Sequence, residues 1–81
     1  MTGKNRKDFE RVVQFILEKG NNGQKITLKN IKQDLNLNPK YARDIVDSLH
    51  EEDVILYRKG GLEIDTEQAF DKGYLNRSEH F

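Results

Sequence analysis

TLKNIKQDLNLNPKYARDIVDSLHEEDVI, residues 27–55, is the stretch whose reading decides the fold. Thr27 carries a hydroxyl that can accept from the free N–H groups opening a helix, and Leu28, Ile31 and Leu35 then fall on one face over 28–35. A turn at Asn36-Leu37-Asn38 follows. Asn38 is a good N-cap, and Pro39 has the fixed φ and missing N–H that suit the first helical position, so another helix starts here and runs to about Glu52. Ala42, Ile45, Val46 and Leu49 recur along it at i, i+3, i+4 and i+7 and define an inward face. Lys40, Asp44, Asp47 and Glu51 point the other way.

Upstream, Phe9, Val12, Val13, Ile16 and Leu17 recur at three- and four-residue steps, with Phe15 widening the stripe, which predicts an amphipathic helix over 8–19. Gly20 stands where such a helix stops in a left-handed conformation, and Asn21-Asn22-Gly23 continues as a loop. Downstream, Val54-Ile55-Leu56-Tyr57 and Leu62-Glu63-Ile64 are β-prone runs around Arg58-Lys59-Gly60-Gly61. A Gly60-Gly61 turn would set Arg58 opposite Glu63 and Tyr57 opposite Ile64. Thr66 is read as the cap of a short last helix that turns Ala69 and Phe70 inward and ends at Gly73.

These elements predict a mainly α domain with a small β-hairpin, occupying 1–81 as one unit, with its core over about 8–65 and an extension over 66–81. Ile26 is a candidate third short strand. The expected core is Phe9, Val12, Val13, Ile16, Leu28, Ile31, Leu35, Leu37, Ala42, Ile45, Val46, Leu49, Leu56 and Ile64.

Composition narrows the function. At 81 residues one small core must serve, which excludes a two-lobed enzyme with a cleft between domains. The absence of cysteine removes disulfides and thiolate metal sites and fits a reducing compartment. No apolar run is long enough to span a membrane, and the first nine residues are too charged for a signal peptide, so a cytoplasmic location is expected and the Asn76-Arg77-Ser78 triplet is read as chance. Fourteen basic and fourteen acidic residues cancel, which argues against a protein that coats DNA or a membrane by bulk charge. The distribution is uneven: residues 1–32 hold eight Lys/Arg and three Asp/Glu, and residues 33–81 hold six and eleven. Any nucleic-acid surface is therefore local.

The order helix, short extended residue, helix, tight turn, helix, hairpin, carried by the quoted stretch, resembles the winged helix-turn-helix family over residues 9–64, about two-thirds of the chain. In that reading Leu37 plugs the turn, Ile31 and Ile45 pack across it, and residues 56–65 form the wing. Many members have Gly where Asp53 stands, at a left-handed exit from the third helix that Asp also tolerates. The resemblance implies a regulator of transcription that binds duplex DNA with its third helix in the major groove and its wing on the backbone, without a cofactor or small-molecule ligand. Lys40, Tyr41 and Arg43 on the third helix and Arg58 and Lys59 on the wing match the contacting positions. Asn38, Thr27 and Lys29 sit where phosphates are usually met. The family commonly acts as dimers, and Phe70, Tyr74, Leu75 and Phe81, left over once the core is filled, suggest a C-terminal homodimer contact.

Two other functions compete with this one. A protein-binding module would use the apolar hairpin or the acidic side of the third helix. An enzyme would need more than the sequence offers: Asp44, Asp47 and Glu51 share a helical face that reads as solvated, His50 and His80 lack zinc-ligand spacing, and no glycine-rich phosphate loop is present. No catalytic role is expected.

Overall fold

The computed structural model describes residues 6–75; Asn76-Arg77-Ser78, His80 and Phe81 lie outside them. The chain forms α1 (Arg6–Asn21), α2 (Leu28–Asp34), α3 (Pro39–Glu51), β1 (Ile55–Arg58), β2 (Gly61–Ile64) and α4 (Thr66–Asp71). It is mainly helical with a two-stranded antiparallel hairpin, β1 against β2.

The helix starts follow the local chemistry. Thr27 Oγ1 accepts from Asn30 N, and Asn30 Oδ1 accepts in return from Thr27 N at 2.9 Å, a reciprocal cap that holds the first turn of α2. Asn38 Oδ1 accepts from Lys40 N at 2.9 Å and Tyr41 N at 3.3 Å, ahead of Pro39 in the first turn of α3. At α4 the cap is Asp65, whose Oδ1 accepts from Gln68 N, and not Thr66, which is already helical. Adjacent Asp and Thr are nearly equivalent as caps, and the backbone bond from Asp65 N to Val54 O fixes which one is used.

All four helices stop in the same way. The residue after each cap is left-handed, namely Gly23 (φ +79°), Asn36 (+54°), Asp53 (+64°) and Gly73 (+83°). The next N–H reaches back to a carbonyl five residues earlier: Gln24 to Lys19, Leu37 to Lys32, Val54 to Leu49 and Tyr74 to Ala69. The expected exit at Asp53 is present. The expected stop at Gly20 is not, because α1 continues to Asn21 and Gly23 takes the left-handed position.

The hairpin register also differs from expectation. Ile55 pairs with Ile64, Leu56 with Glu63, Tyr57 with Leu62 and Arg58 with Gly61, so the two loop residues are Lys59 and Gly60. A slide of two residues keeps every side chain on its face. It leaves Arg58 diagonal to Glu63, still within 3.4 Å. Ile26 explains the choice, since it bridges Leu62 and a Cβ on Gly61 would stand 3.0 Å from Ile26 O. Only a glycine lets the 26 segment lie this close to β2.

The core joins Phe9, Val12, Val13 and Ile16 of α1 to Ile31, Ala42, Ile45, Val46 and Leu49, closed by Ile26, Val54, Ile55, Leu62, Ala69, Tyr74 and Leu75. Leu28, Leu35, Leu37 and Ile64 pack partly buried against it. Leu56 is not a core residue: Ile55 takes the inward face of β1 and alternation turns Leu56 away. Tyr74 and Leu75 are buried within their own chain, with the Tyr74 ring 5.9 Å from Phe9, and Phe70 packs against the same core. Three of the four side chains expected at a dimer contact thus serve the monomer's own packing.

Two arginines of α1 close the ends of other helices. Arg6 Nη2 donates to Lys72 O at 2.6 Å and Arg11 Nη2 to Leu35 O at 3.2 Å, the C-cap carbonyls of α4 and α2. Tyr74 Oη donates to Glu52 Oε1 at 2.8 Å. Burial, that hydrogen bond and the Glu52 charge raise the Tyr74 phenol to about 12, against a smaller opposing effect of Arg6.

Candidate nucleic-acid interface

Helical periodicity divides the residues of α3 between two surfaces. Tyr41 faces α1, half-buried against the core, and its hydroxyl donates to Asp8 Oδ2 at 2.6 Å. A hydroxyl held by a carboxylate across two helices belongs to the packing of α3 before it belongs to any ligand. Lys40 and Arg43 lie on solvent-exposed positions, each one turn ahead of an aspartate: Lys40 Nζ is 4.0 Å from Asp44 Oδ2, and Arg43 Nε is 3.9 Å from Asp47 Oδ2. Exposed pairs of this spacing contribute only about 0.3–0.5 kcal/mol each, so they orient the cations without locking them.

The Ile26–Leu62 bridge sets the hairpin beside this surface. Arg43, Val46 and Asp47 of α3, Leu28 of α2, and Tyr57 and Arg58 of β1 line one shallow depression of about 320 Å³. Arg43 and Arg58, fifteen positions apart in sequence, both line it. Tyr57 is 57% exposed, the only large apolar side chain so placed among the described residues, and its ring lies 4.5 Å from that of His50.

Arg58 also borders a second depression of about 470 Å³, together with Lys59 and Lys25. Lys25 is a basic residue that sequence reasoning did not single out. Its ammonium lies over the hairpin turn, 3.0 Å from where a Cβ on Gly60 would sit. The available signal was Ile26, since a strand pairing at 26 carries its neighbour to the hairpin.

The structure therefore brings Arg43 to Arg58, and Arg58 to Lys59 and Lys25. Lys29, exposed on α2, and Lys40, at the start of α3, line neither depression. Asn38 and Thr27 use their side-chain oxygens as helix caps. Lys29 and Lys59 have no ion-pair partner among the described residues. The described residues contain no group of three His, Cys, Asp or Glu side chains that could hold a metal ion. None of their helices is long and apolar enough to cross a membrane. No family model, curated protein or solved structure matches the chain.

Proposed function

We propose that the chain is a winged helix-turn-helix module that binds duplex DNA and regulates transcription, with α3 entering the major groove by its N-terminal half and the β1–β2 hairpin meeting the backbone as the wing. The observation that carries this reading is the convergence of Arg43 and Arg58, from α3 and β1, on one depression, with Lys59 and Lys25 beside it at the hairpin turn. A helix and a hairpin presenting cations toward one opening suit a groove edge and its adjacent phosphates. The element order and the Ile26–Leu62 bridge support the same reading. The carboxylates of Asp44, Asp47 and Glu63 lower the net charge of the face, so the binding expected is modest in general affinity and depends on a fitted site.

Fluorescence anisotropy with a labelled duplex, titrated at several salt concentrations, tests it. Contacts from Arg43, Arg58, Lys59 and one or two further lysines give a log–log slope of about −3 to −5. Selection from random duplexes then supplies the preferred site. A second reading, a protein-binding module, is favoured by exposed Tyr57 over the apolar lining of Leu28, Val46 and Leu62. It requires a nearly flat salt dependence, because an apolar contact changes little with ionic strength.

A further inference from the structure

Asp47 is a difficulty for a surface that meets a polyanion. It lines the same depression as Arg43 and Arg58, its side chain is 58% exposed, and a carboxylate there repels phosphates. Its contact with Arg43 is made at Nε, the inner nitrogen of the guanidinium. Arg43 donates no hydrogen bond to any described residue, so its two terminal amines, the fork that pairs bidentately with two acceptors, have no partner among the described residues. Arg58 on the hairpin has the same arrangement, with Glu63 at its Nε.

We propose that Asp47 is a positioning residue that makes Arg43 a reader of guanine. This rests on the duplex-binding reading above. The aspartate holds the guanidinium from its inner edge and leaves the terminal amines to meet O6 and N7 of guanine, the paired acceptors that match the fork in the major groove. Its negative charge also penalises binding in which Arg43 swings onto a phosphate, because that leaves the carboxylate facing the backbone without its partner. Asp47 therefore lowers affinity for duplexes in general and raises discrimination for a site with guanine beneath Arg43. Glu63 performs only the first of these, because its arginine lies on the hairpin, where the contact is to the backbone.

The experiment is an anisotropy titration of the full chain against three duplexes: the site obtained by selection, the same site with the guanine pair replaced by an adenine pair, and a random duplex. Wild type is expected to prefer the guanine site over its adenine variant by about tenfold or more. Asp47→Asn is expected to bind the random duplex about two- to fivefold more tightly while the preference falls to about threefold or less. Glu63→Gln is expected to tighten random binding to a similar extent with the preference intact. In an Arg43→Lys background the preference is lost, and Asp47→Asn changes it no further. All three substituted side chains are exposed, and matching thermal melts establish that the variants are folded. If Asp47→Asn keeps the full preference, or if wild type binds duplexes without preferring guanine at any position, the inference is overturned while duplex binding stands. If wild type binds no duplex at low salt, the duplex-binding reading itself fails and the inference with it.

Discussion

Asp8 and Glu52 each accept a short hydrogen bond, of 2.6 and 2.8 Å, from a tyrosine distant in sequence, whereas Asp44, Asp47 and Glu63 each lie 3.4–4.0 Å from a solvent-exposed cation. The first pair joins residues 33 and 22 positions apart at the margin of the core. The second set, on α3 and the hairpin, spans four or five positions. A hydrogen bond at a partly dry boundary is worth more than an ion pair in water and is less readily exchanged for a new partner. One region of the molecule uses its charges to fix how the helices sit, and the other holds them in pairs open to solvent.

Four substitutions test that division, beginning with the packing beneath both regions. Ile45→Asp puts an unpaired carboxylate where no solvent reaches, costing several kcal/mol in a domain whose whole stability is of order 5 kcal/mol. The expected result is a chain without a cooperative thermal transition by circular dichroism. Tyr74→Phe comes next. It removes the bond to Glu52 and costs about 1–2 kcal/mol at neutral pH. Its pH signature is specific: the folded-state pKa of Tyr74 is raised from 10.0 to about 12, so the tyrosine stabilises the fold fully below pH 10 and loses that contribution as pH rises from 10 to about 12. Urea titrations across that range are expected to show wild type and Tyr74→Phe converging.

Tyr41→Phe removes the bond to Asp8 and is expected to cost about 1 kcal/mol of stability. Duplex affinity is expected to stay within about twofold, corrected for the folded fraction. A large loss of affinity in a fully folded Tyr41→Phe variant would show that the hydroxyl works at the outer surface, and would break the comparison. The smallest effect is that of Asp44→Ala, expected within about 0.5 kcal/mol of wild type in urea titrations, as for other exposed pairs one turn apart. A loss of more than about 1 kcal/mol would move this pair to the structural set.

The parts of this division that lie close in sequence could be read from it. The caps at Thr27 and Asn38-Pro39 and the left-handed exit at Asp53 rest on bonds among neighbours, so residue type and spacing were enough. The one-turn spacing of Lys40 to Asp44 and Arg43 to Asp47 was legible for the same reason. The hairpin turn was not, because Arg58-Lys59-Gly60-Gly61 permits two frames and the backbone of Ile26, 35 positions before Gly61, selects between them. The same long-range contact brings Lys25 to the hairpin, which is why that lysine was overlooked. Tyr74 and Leu75 carry no helical or strand period, so nothing in their spacing announced that they close the core. Tyr41 occupies a position that serves either the fold or a ligand, and only the placement of Asp8 across from it decides.

The four identical helix ends have a consequence for the order in which the chain folds. Each stop is completed by a bond reaching back five residues, and α2 and α3 have their starts set by side chains two or three positions away. Helices bounded by such local signals start with little loop-closure cost, while the Ile26–Leu62 bridge and the bonds from Tyr74 to Glu52 and from Arg6 to Lys72 close long loops. In stopped-flow refolding, Leu49→Ala within α3 is therefore expected to slow folding, and Tyr74→Phe to act almost wholly on the unfolding rate, with φ near 1 and near 0 as the limiting values. By this ordering the helices that present Arg43 are assembled early, and the C-terminal segment docks last onto a structure already formed.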